Sequence, residues 1–560
     1  MTTWNGSKQG RYGFCVDARQ YLKKPGVMRM PRVLGVYVYC NKTYSLLVYK
    51  RQGDTLQWEV DKILSTNGED ITDFCDALHA LLSNFGSFVI TGLTLYWHWH
   101  EGTLHSCLEH IGGRLITTTA VSYPFHARYL VPRLGAKSGK SCVVALVDIE
   151  NWFDIEALSM LYNHVCRREE DAKYVDDFAA AATFYSHALS VLTQTIEELH
   201  GDCWQLTAAS IGMSYYRRYF LEKGEMPANL PWGLWELERQ AVYGGLTEVK
   251  VRGRVPGRWY FADANNLYHY IASNRLLPGL LRCYTSNPAR SEIDYAADTG
   301  LAVAEVIVNS PTLPLPKRCG LESVEWETGT MQTVLAGEEL QFALRNNLVV
   351  NVIQLATYQP ARSLNKYAFV CLNRLAAAKH DRPRYGYRVL KRILTATYGK
   401  FAQVSHVLIP AFDVQAKAYF ADWEDFNDDG KVVCFKAMFG RTYKEVVSHP
   451  PSYGHPAVFA CITSAARMWL RRIMNLLPAG TLAYFDTDCV VVNEWGLSIL
   501  EDAGLIGPEP GQLQIKEVTD ELSIHAPKVY CIGGKRISAG EHKPRLFPGV
   551  ALEYRSLHIR

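Results

Sequence analysis

The chain contains 560 residues, of which 48% are hydrophobic and 21% charged, and it carries a formal net charge of +3. This length is too great for one compact core and predicts roughly three to four domains, and the composition is ordinary for a soluble globular protein. The mild charge does not by itself indicate a nucleic-acid partner, so any such partner would have to be bound by local basic patches.

The 14 cysteines are scattered and form no C-x-x-C pair, which disfavours a zinc ribbon or a thioredoxin-like site. The opening MTTWNGSKQG is polar, and no apolar run is long enough to cross a bilayer. We therefore expect free thiols, no membrane contact and a cytoplasmic location, which would be the host cytoplasm if the protein is viral.

The N-terminal part alternates between two kinds of segment up to about Leu130. The runs VLGVYVYC, YSLLVYK and SFVITGLTLYW are typical of strands, whereas ITDFCDALHALLSNF is typical of a helix. This alternation predicts an α/β domain. A loop at 132–141, a strand CVVALVDI and helices reaching into the 190s are expected next, and the prolines and glycine of MPANLPWG, at 226–233, predict a boundary.

A buried strand is predicted to end at Asp263. The run Trp259–Ala262 is continuously apolar, and Leu267, Tyr270 and Ile271 then recur at helical spacing. The carboxylate thus lies where a strand is followed by a helix, which is a common place for functional side chains. A helix N-cap is the alternative interpretation.

Cations concentrate in AKHDRPRYGYRVLKRILTATYGKF, residues 378–401, around the single acid Asp381. Apolar residues from Tyr387 onward recur at three- and four-residue steps, which predicts an amphipathic helix with a basic face. Lys391 and Tyr398 are two turns apart, so they could share a face that holds a triphosphate and stacks on a base. A solvated basic face is the alternative.

The segment TLAYFDTDCVVV, residues 481–492, places Asp486 and Asp488 between two apolar runs that favour strands. A hairpin turn is one interpretation. The other is a metal site, because close carboxylates repel each other unless a cation or a proton neutralises them. If strand pairing brings them to Asp263, their oxygens would suit two magnesium ions about 3.5 to 4 Å apart, which assist phosphoryl transfer. Downstream of the basic helix, DWEDFNDDGK at 422–431 predicts an irregular surface excursion.

Five motifs in order resemble those of the family B DNA polymerases, and within them the small phage and linear-plasmid type that is typically protein-primed. VYGGLTEV at 242–249 resembles the Y-x-G-G link, DANNLYHYI resembles motif A (D-x-x-S-L-Y-P), and KRILTATYGKF resembles motif B (K-x-x-x-N-S-x-Y-G). YFDTDCVVV is similar to motif C (Y-x-D-T-D-S), and APKVY at 526–530 resembles the K-x-Y motif. Any one motif is weak, but five in order over about residues 200 to 545 are specific.

This resemblance implies an α+β multidomain fold. It would be a right-hand polymerase with palm, fingers and a short thumb, preceded by an RNase H-like exonuclease-type α/β domain. The implied limits are 1–225 for the exonuclease-like domain and 226–560 for the polymerase domain. Within the latter, the implied parts are a palm at 240–300 and 455–535, a first insertion at about 300–365, fingers at about 366–402, a second insertion at about 403–455 and a short thumb or C-terminal tail at 536–560.

The resemblance also implies roles for individual residues. Asp263 and Asp488 would bind two Mg²⁺ ions, or alternatively Mn²⁺, with Asp486 as a supporting catalytic carboxylate. The ring of Tyr268 would block a ribose 2′-hydroxyl and so favour deoxynucleotides. The remaining implied site residues are nucleotide-binding Lys379, Lys391 and Tyr398, and primer- or DNA-binding Lys528, Tyr530, Gly244 and Gly245.

The implied activity is that of a DNA-directed DNA polymerase, which adds dNTPs to a 3′ hydroxyl on a DNA template and primer. The implied setting is replication of a phage or mobile-element genome, with a terminal protein as a further partner if priming is by protein. All the acids and the key lysine and tyrosine are retained, and the departures bear on nucleotide affinity and discrimination. The departures are Val242 in the link, Asn266 and His269 in motif A, Thr395 and Ala396 in motif B, and Cys489 in motif C.

The exonuclease acids of this family have no counterpart in the N-terminal part. No D-x-E occurs before residue 148, TLYWHWH has Trp97 in place of an aspartate, and FYSHALSVL has Leu189 in place of the last acid. Because two-metal chemistry needs its carboxylates, we expect an exonuclease-like fold without 3′–5′ exonuclease activity. Two later D-x-E pairs better match a stretch just ahead of the third motif: Asp148 with Glu150, and Asp154 with Glu156.

Two other functions compete with a polymerase. A catalytically weak polymerase-like protein that acts only in DNA binding or initiation would explain the substitutions, but retention of Asp263, Lys391 and Tyr398 argues against it. Reverse transcription is disfavoured because those palms usually carry adjacent aspartates, whereas Thr487 separates the two aspartates here.

Overall fold

The structure is a computed structural model. It describes residues 24–40, 43–53, 55–66, 71–92, 103–118, 126–134, 140–165, 178–228, 230–319, 323–404, 406–411, 413–417, 420–426, 432–438, 441–447 and 451–538. Within these ranges, no helix is both long enough and apolar enough to cross a membrane.

The N-terminal part forms a seven-stranded mixed sheet in the order β3-β2-β1-β4-β7-β6-β5. The pairs β1·β4 and β4·β7 are parallel, and the other pairs are antiparallel. The strands are β1 (Val33–Cys40), β2 (Thr43–Arg51), β3 (Trp58–Thr66), β4 (Ser87–Gly92), β5 (Arg114–Thr118), β6 (His126–Pro132) and β7 (Ser141–Asp148). The accompanying helices are α1 (Thr72–Leu82), α2 (Thr103–His110), α3 (Ile155–Val165) and α4 (Phe178–Glu198).

A disulfide joins Cys75 on α1 to Cys107 on α2, with their Cα atoms 5.4 Å apart. The expectation of free thiols is therefore wrong for this pair. The two cysteines are 32 residues apart and meet only because their helices cover the same side of the sheet, which no local spacing reveals. The other cysteines with described side chains are free.

A five-stranded sheet in the order β21-β10-β20-β19-β8 carries the predicted catalytic aspartates. Its strands are β8 (Thr247–Val249), β10 (Trp259–Ala264), β19 (Leu482–Asp486), β20 (Cys489–Asn493) and β21 (Leu513–Thr519). The helices that lead to it or pack on it are α5 (Ala208–Tyr219), α6 (Trp232–Gln240), α7 (Leu267–Asn274), α12 (Pro456–Leu476) and α13 (Glu494–Asp502).

Three four-stranded sheets and four helices complete the described chain. The sheets have the orders β11-β14-β12-β13, β15-β18-β17-β16 and β24-β23-β22-β9. Their strands are β9 (Gly253–Val255), β11 (Pro278–Thr285), β12 (Ala302–Cys319), β13 (Ser323–Ala336), β14 (Val349–Pro360), β15 (His406–Pro410), β16 (Phe420–Phe426), β17 (Val432–Met438), β18 (Arg441–Val447), β22 (Leu522–Ala526), β23 (Val529–Ile532) and β24 (Lys535–Ser538). The helices are α8 (Arg290–Thr299), α9 (Gly337–Arg345), α10 (Arg362–Asp381) and α11 (Arg384–Phe401).

The amphipathic helix predicted from Tyr387 onward is confirmed and lies within α11. The start of the basic segment 378–401 belongs to a separate helix, since α10 ends at Asp381 and α11 begins at Arg384, with Pro383 as its N-cap. Proline disfavours helical geometry in the residue before it, so the two helices are separated there. The prediction of an irregular acidic segment at 422–431 is wrong for 422–426, which belong to strand β16, and 427–431 lie outside the described residues.

A buried ion pair ties α9 to α12. Arg467, which is 1% exposed, donates from Nε to Oε1 of the fully buried Glu339 at 3.0 Å, and Arg471 approaches the same oxygen at 3.3 Å. Nη1 of Arg467 also donates to the carbonyl oxygen of Gly244 at 2.5 Å. The same arginine therefore anchors both α9 and the segment before β8.

Replacing Glu339 with alanine should lower the free energy of unfolding by about 3 to 5 kcal/mol, because it leaves buried arginine cations without their counter-charge. Urea unfolding followed by circular dichroism measures this change. The matched control is Asp294→Ala, which removes the exposed partner of Arg290 and should shift the unfolding midpoint little. Equal losses in the two variants would contradict the buried ion pair.

Candidate active site

Strand pairing brings Asp263 and Asp488 together. Asp263 lies opposite Cys489 in the antiparallel pair β10·β20, and the N–H of Ala264 donates to the carbonyl oxygen of Asp488 at 2.8 Å. Burial raises the pKa of Asp488 to about 7, with further contributions from the negative charges of Asp263 and Asp486. The two carboxylates predicted to share a metal are thus close enough to repel each other.

Asp263 has a similar environment. Burial raises the pKa of its carboxyl group, and the positive charges of Lys516 and Lys391 oppose this rise. Asp263 is the penultimate residue of strand β10 and is not a helix N-cap, since the cap of α7 is Asn266. Two half-buried, mutually repelling carboxylates, one near the end of β10 and one directly before β20, fit hard divalent cations, which prefer oxygen ligands. Asp263 and Asp488 are therefore the residues that could hold a metal.

Asp486 lies one residue before the turn and differs from Asp488. Its oxygens accept hydrogen bonds from Thr247 at 2.6 Å, Thr487 at 3.0 Å and Tyr484 at 3.1 Å, and form an ion pair with Lys528 at 2.8 Å. Burial would raise the pKa of Asp486, but the hydrogen bonds from Lys528 and Thr247 outweigh it, so its pKa is lowered. In this arrangement Asp486 holds the lysine of the predicted K-x-Y motif.

The turn between the two aspartates is tightly packed. Thr487 adopts a left-handed backbone with φ of 55°, a conformation that is uncommon for residues other than glycine and is often found at functional sites. A Cβ atom on Gly245 would lie 2.1 Å from Oγ1 of Thr487, so only glycine fits there. The predicted link motif therefore packs against the hairpin that carries Asp486 and Asp488. The two interpretations of this segment, a hairpin turn and a metal site, are thus compatible.

Lysines from three elements surround the carboxylates. Lys379 on α10 and Lys391 on α11 are exposed, and Lys516 on β21 was not predicted. Burial lowers the pKa of Lys516, and the positive charges of Lys391 and Lys379 lower it further. The negative charge of Asp263 opposes this effect. Lys516 is therefore within electrostatic reach of the other two lysines and of Asp263. Lys516 belongs to no motif, and only the pairing of β10 with β21, which sets Asp263 opposite Gln514, reveals it.

The predicted tyrosines differ in accessibility. Tyr268 is half-buried, whereas Tyr398 is fully buried, so it does not form a common surface with the exposed Lys391. A contact between Tyr398 and a base pair would require movement of α11 and stays a prediction. Tyr530 is also buried and packs against Tyr484, with ring centroids 5.3 Å apart.

Arginines of α11 contact the N-terminal part. Nε of Arg388 lies 3.0 and 3.1 Å from the carboxylate oxygens of Asp154, and its Nη2 lies 2.8 Å from Glu156. Arg392 donates to the carbonyl oxygen of Glu150 at 2.7 Å. The basic face of this helix is therefore partly neutralised within the chain and is not wholly solvated.

A cavity of about 590 Å³ lies beside this contact, between α11 and the segment before α5. Its lining includes Asn151, Thr207 and Tyr387, together with Lys391 and Thr395 of the predicted motif B. The hydroxyl of Thr395 is buried without a hydrogen-bond partner among the described residues. The cavity thus lies between α11, the predicted nucleotide-binding helix, and the N-terminal part.

The absence of 3′–5′ exonuclease activity stays a prediction. Strand β1 contains no acid, and Leu189 is buried in the core beside Tyr185. Trp97 lies outside the described residues. Asp154 of the later D-x-E pairs is engaged by Arg388, and Asp148 is buried with contacts of its own.

This architecture matches that of right-hand polymerases. No protein-family model and no curated protein sequence matches the chain. Among solved structures, the chain is similar to phi29 DNA polymerase complexed with primer-template DNA and incoming nucleotide substrates, at 13% identity, with coverage of 91% of this chain and 89% of that chain and a TM-score of 0.62. The orthorhombic crystal form of phi29 DNA polymerase gives 14% identity, coverage of 91% and 90%, and a TM-score of 0.62.

At this level of identity the similarity shows the fold alone. It confirms the predicted fold class, an α+β multidomain fold of the right-hand type, in which an exonuclease-type domain precedes palm, fingers and thumb. The predicted domain limits and the roles of individual residues are not settled by it.

Asp488→Asn should raise the unfolding temperature of the metal-free protein at about pH 8. Burial raises the pKa of Asp488 from its ordinary value of 3.8 to about 7 in the folded protein. The folded state therefore binds more protons than the unfolded state between these values, and this carboxyl destabilises the fold increasingly as pH rises through them. Differential scanning fluorimetry with EDTA measures the effect, which should shrink towards about pH 4.

Asp486→Asn is the matched control, since the pKa of Asp486 is lowered and its charge is favourable in the fold. It should reduce the unfolding temperature at about pH 8. Shifts of the same sign in both variants would contradict the different environments of the two aspartates.

Proposed function

We propose that this chain is a template-directed DNA polymerase that adds dNTPs to a 3′ hydroxyl. The observation that carries the proposal is the meeting of Asp263 and Asp488 beside Lys391 and Lys516, within a fold shared with phi29 DNA polymerase. That polymerase has been seen with primer-template DNA and incoming nucleotides, so DNA and dNTPs are the proposed partners here.

The proposed chemistry assigns the metal site to Asp263 and Asp488. Two Mg²⁺ ions, or Mn²⁺ in their place, would stabilise the attacking and leaving oxygens of the phosphoryl transfer. Lys391 and Lys379 would bind the triphosphate of the incoming nucleotide, and Lys516, close to both, would add a third positive charge.

The remaining residues would orient the nucleotide and the primer. Tyr268 is half-buried and within electrostatic reach of Asp488, where its ring would restrict a ribose 2′-hydroxyl. Lys528 is held by Asp486 and would contact the primer end, while Gly245 supports the same turn.

The N-terminal part, residues 1–225, is proposed to be an exonuclease-type domain without 3′–5′ activity that braces the fingers of the polymerase domain, 226–560. The contact of Arg388 with Asp154 and Glu156 supports the bracing role. Replication of a phage or mobile-element genome, with a terminal protein as primer, is the proposed setting and rests on the resemblance of the motifs alone.

Asp488→Ala should abolish Mg²⁺-dependent primer extension, with a loss of at least about 10³-fold, because the remaining carboxylate cannot hold both ions. Extension of a labelled primer with dNTPs measures this, and gel-shift binding of the same duplex should be retained. Arg290→Ala, an exposed residue on α8, serves as a control and should extend as wild type does. A wild-type protein that binds DNA but extends no primer would favour the DNA-binding or initiation factor instead.

The wild-type protein should not shorten a primer with a mispaired 3′ end in the presence of Mg²⁺ and absence of dNTPs. The expected reason is that the metal-binding acids of the exonuclease motifs have no counterpart. Time-resolved gel analysis detects trimming at single-nucleotide resolution. Trimming that Asp488→Ala retains and Asp148→Ala abolishes would show instead that the later D-x-E segment supplies a working site.

A further inference from the structure

A hydrogen bond between His269 and Tyr398 joins two helices of the proposed site. His269 follows Tyr268 on α7, and its Nδ1 lies 2.7 Å from the hydroxyl oxygen of Tyr398 on α11. The two rings also meet edge to face, with centroids 5.2 Å apart. His269 is 1% exposed and Tyr398 is fully buried, so the hydrogen bond is shielded from water.

Tyr367 extends this contact to a third helix, α10. Its hydroxyl donates to the carbonyl oxygen of Leu394 at 3.0 Å and lies 2.7 Å from Oγ1 of Thr397. Its ring centroid lies 6.4 Å from that of His269 and 6.2 Å from that of Tyr398. One buried aromatic cluster, made of His269, Tyr367 and Tyr398, therefore packs α7 against α10 and α11, the helices of the proposed fingers.

The histidine is not explained by packing alone. Burial and the charge of Lys391 lower the pKa of His269 to about 3, so the ring is neutral near pH 7. Its other nitrogen, Nε2, is buried without a hydrogen-bond partner among the described residues. An unsatisfied buried polar atom destabilises a fold, but an apolar side chain here would remove the hydrogen bond of the buried Tyr398 hydroxyl instead. The polar contact of this ring is therefore directed at Tyr398 and at the helix that carries it.

The position on α7 connects this bond to Tyr268. Adjacent residues of an α-helix point about 100° apart, so the two side chains face different neighbours. His269 contacts the fingers, whereas Tyr268 contacts Phe459, with ring centroids 6.4 Å apart. Burial and then the negative charge of Asp488 raise the pKa of Tyr268 to about 12, which shows that this ring lies near the carboxylates. Because His269 is bonded to α11, a displacement of α11 would move the first turn of α7 and, with it, the ring of Tyr268.

We propose that His269 is a positioning residue for sugar selection. Its hydrogen bond to Tyr398 fixes α7 against the fingers and so sets how closely the ring of Tyr268 approaches the sugar of the incoming nucleotide. This inference rests on the proposed polymerase function.

The test is a double-mutant cycle on the efficiency, kcat/KM, of incorporating a ribonucleotide relative to the matching deoxynucleotide. His269→Phe and Tyr398→Phe each keep an aromatic ring and remove the hydrogen bond. Each should raise the ribonucleotide-to-deoxynucleotide ratio about tenfold, and the double variant should also reach only about tenfold, because both changes delete the same interaction. His269→Asn, whose amide can bond from the Nδ1 position, should restore the ratio to within about twofold of wild type.

Tyr216→Phe is the matched control. It removes a buried hydroxyl that bonds Ser363 at 2.8 Å but keeps the ring that packs against Tyr367, so it leaves the hydrogen bond between His269 and Tyr398 in place. It should lower the unfolding temperature and leave the sugar ratio unchanged, whereas the cycle variants should change the ratio. Tyr398→Phe deletes a single oxygen atom, so it remains a valid test if His269→Phe does not fold.

Three outcomes would overturn the inference. The first is an unchanged ribonucleotide-to-deoxynucleotide ratio in both single variants. The second is a double variant whose change in this ratio equals the product of the two single changes. Either result would overturn the role of His269 and leave the polymerase proposal intact. A wild-type protein that extends no primer would overturn the proposed function and this inference with it.

Discussion

The pairing of β10 with β20 is the constraint on which the rest of the site depends. It sets Asp263 opposite Cys489 and so brings two half-buried carboxylates from distant parts of the chain together. There burial, and then the negative charge of Asp263, make ionisation of Asp488 less favourable and raise its pKa. Nearby positive charge favours the ionised pair, and the lysines around it, with divalent cations when bound, would supply that charge.

The two aspartates of the hairpin show how neighbours in sequence acquire different properties. Asp486 receives hydrogen bonds from the surrounding turn and from Lys528, and its pKa is lowered. Asp488 lies half-buried beside Asp263 instead, and its pKa is raised. The two environments therefore give a carboxylate that is held by hydrogen bonds and one whose charge is not balanced in this way. The turn between the two aspartates packs directly against Gly245, so the link segment and the hairpin form one structural unit.

Local pattern predicted the elements that carry the site. The apolar run before Asp263 and the two runs around Asp486 and Asp488 are strands in the structure, because continuous apolar stretches favour burial in a sheet. The burial of Tyr398 also had a signal, since Leu390, Leu394 and Tyr398 follow at four-residue steps on one helix face.

Other features depend on tertiary contacts that no short segment encodes. Lys516 reaches the carboxylates only through the pairing of β21 with β10. The disulfide of Cys75 and Cys107 depends on two helices packing on one side of a sheet. The break at Pro383 differs from these, because proline was visible in the sequence and its effect on helices is general.

The contact between α5 and α11 gives the N-terminal part a role that requires no exonuclease acids. A Cβ atom on Gly212 of α5 would lie 2.3 Å from the carbonyl oxygen of Ile393, so the two helices approach more closely than any larger residue permits. Leu189 fills the same continuous core. Removing this part would expose the apolar face of α11, the helix that also bears Lys391. The packing of α5 therefore supports the position of α11, and with it the geometry of the proposed nucleotide site.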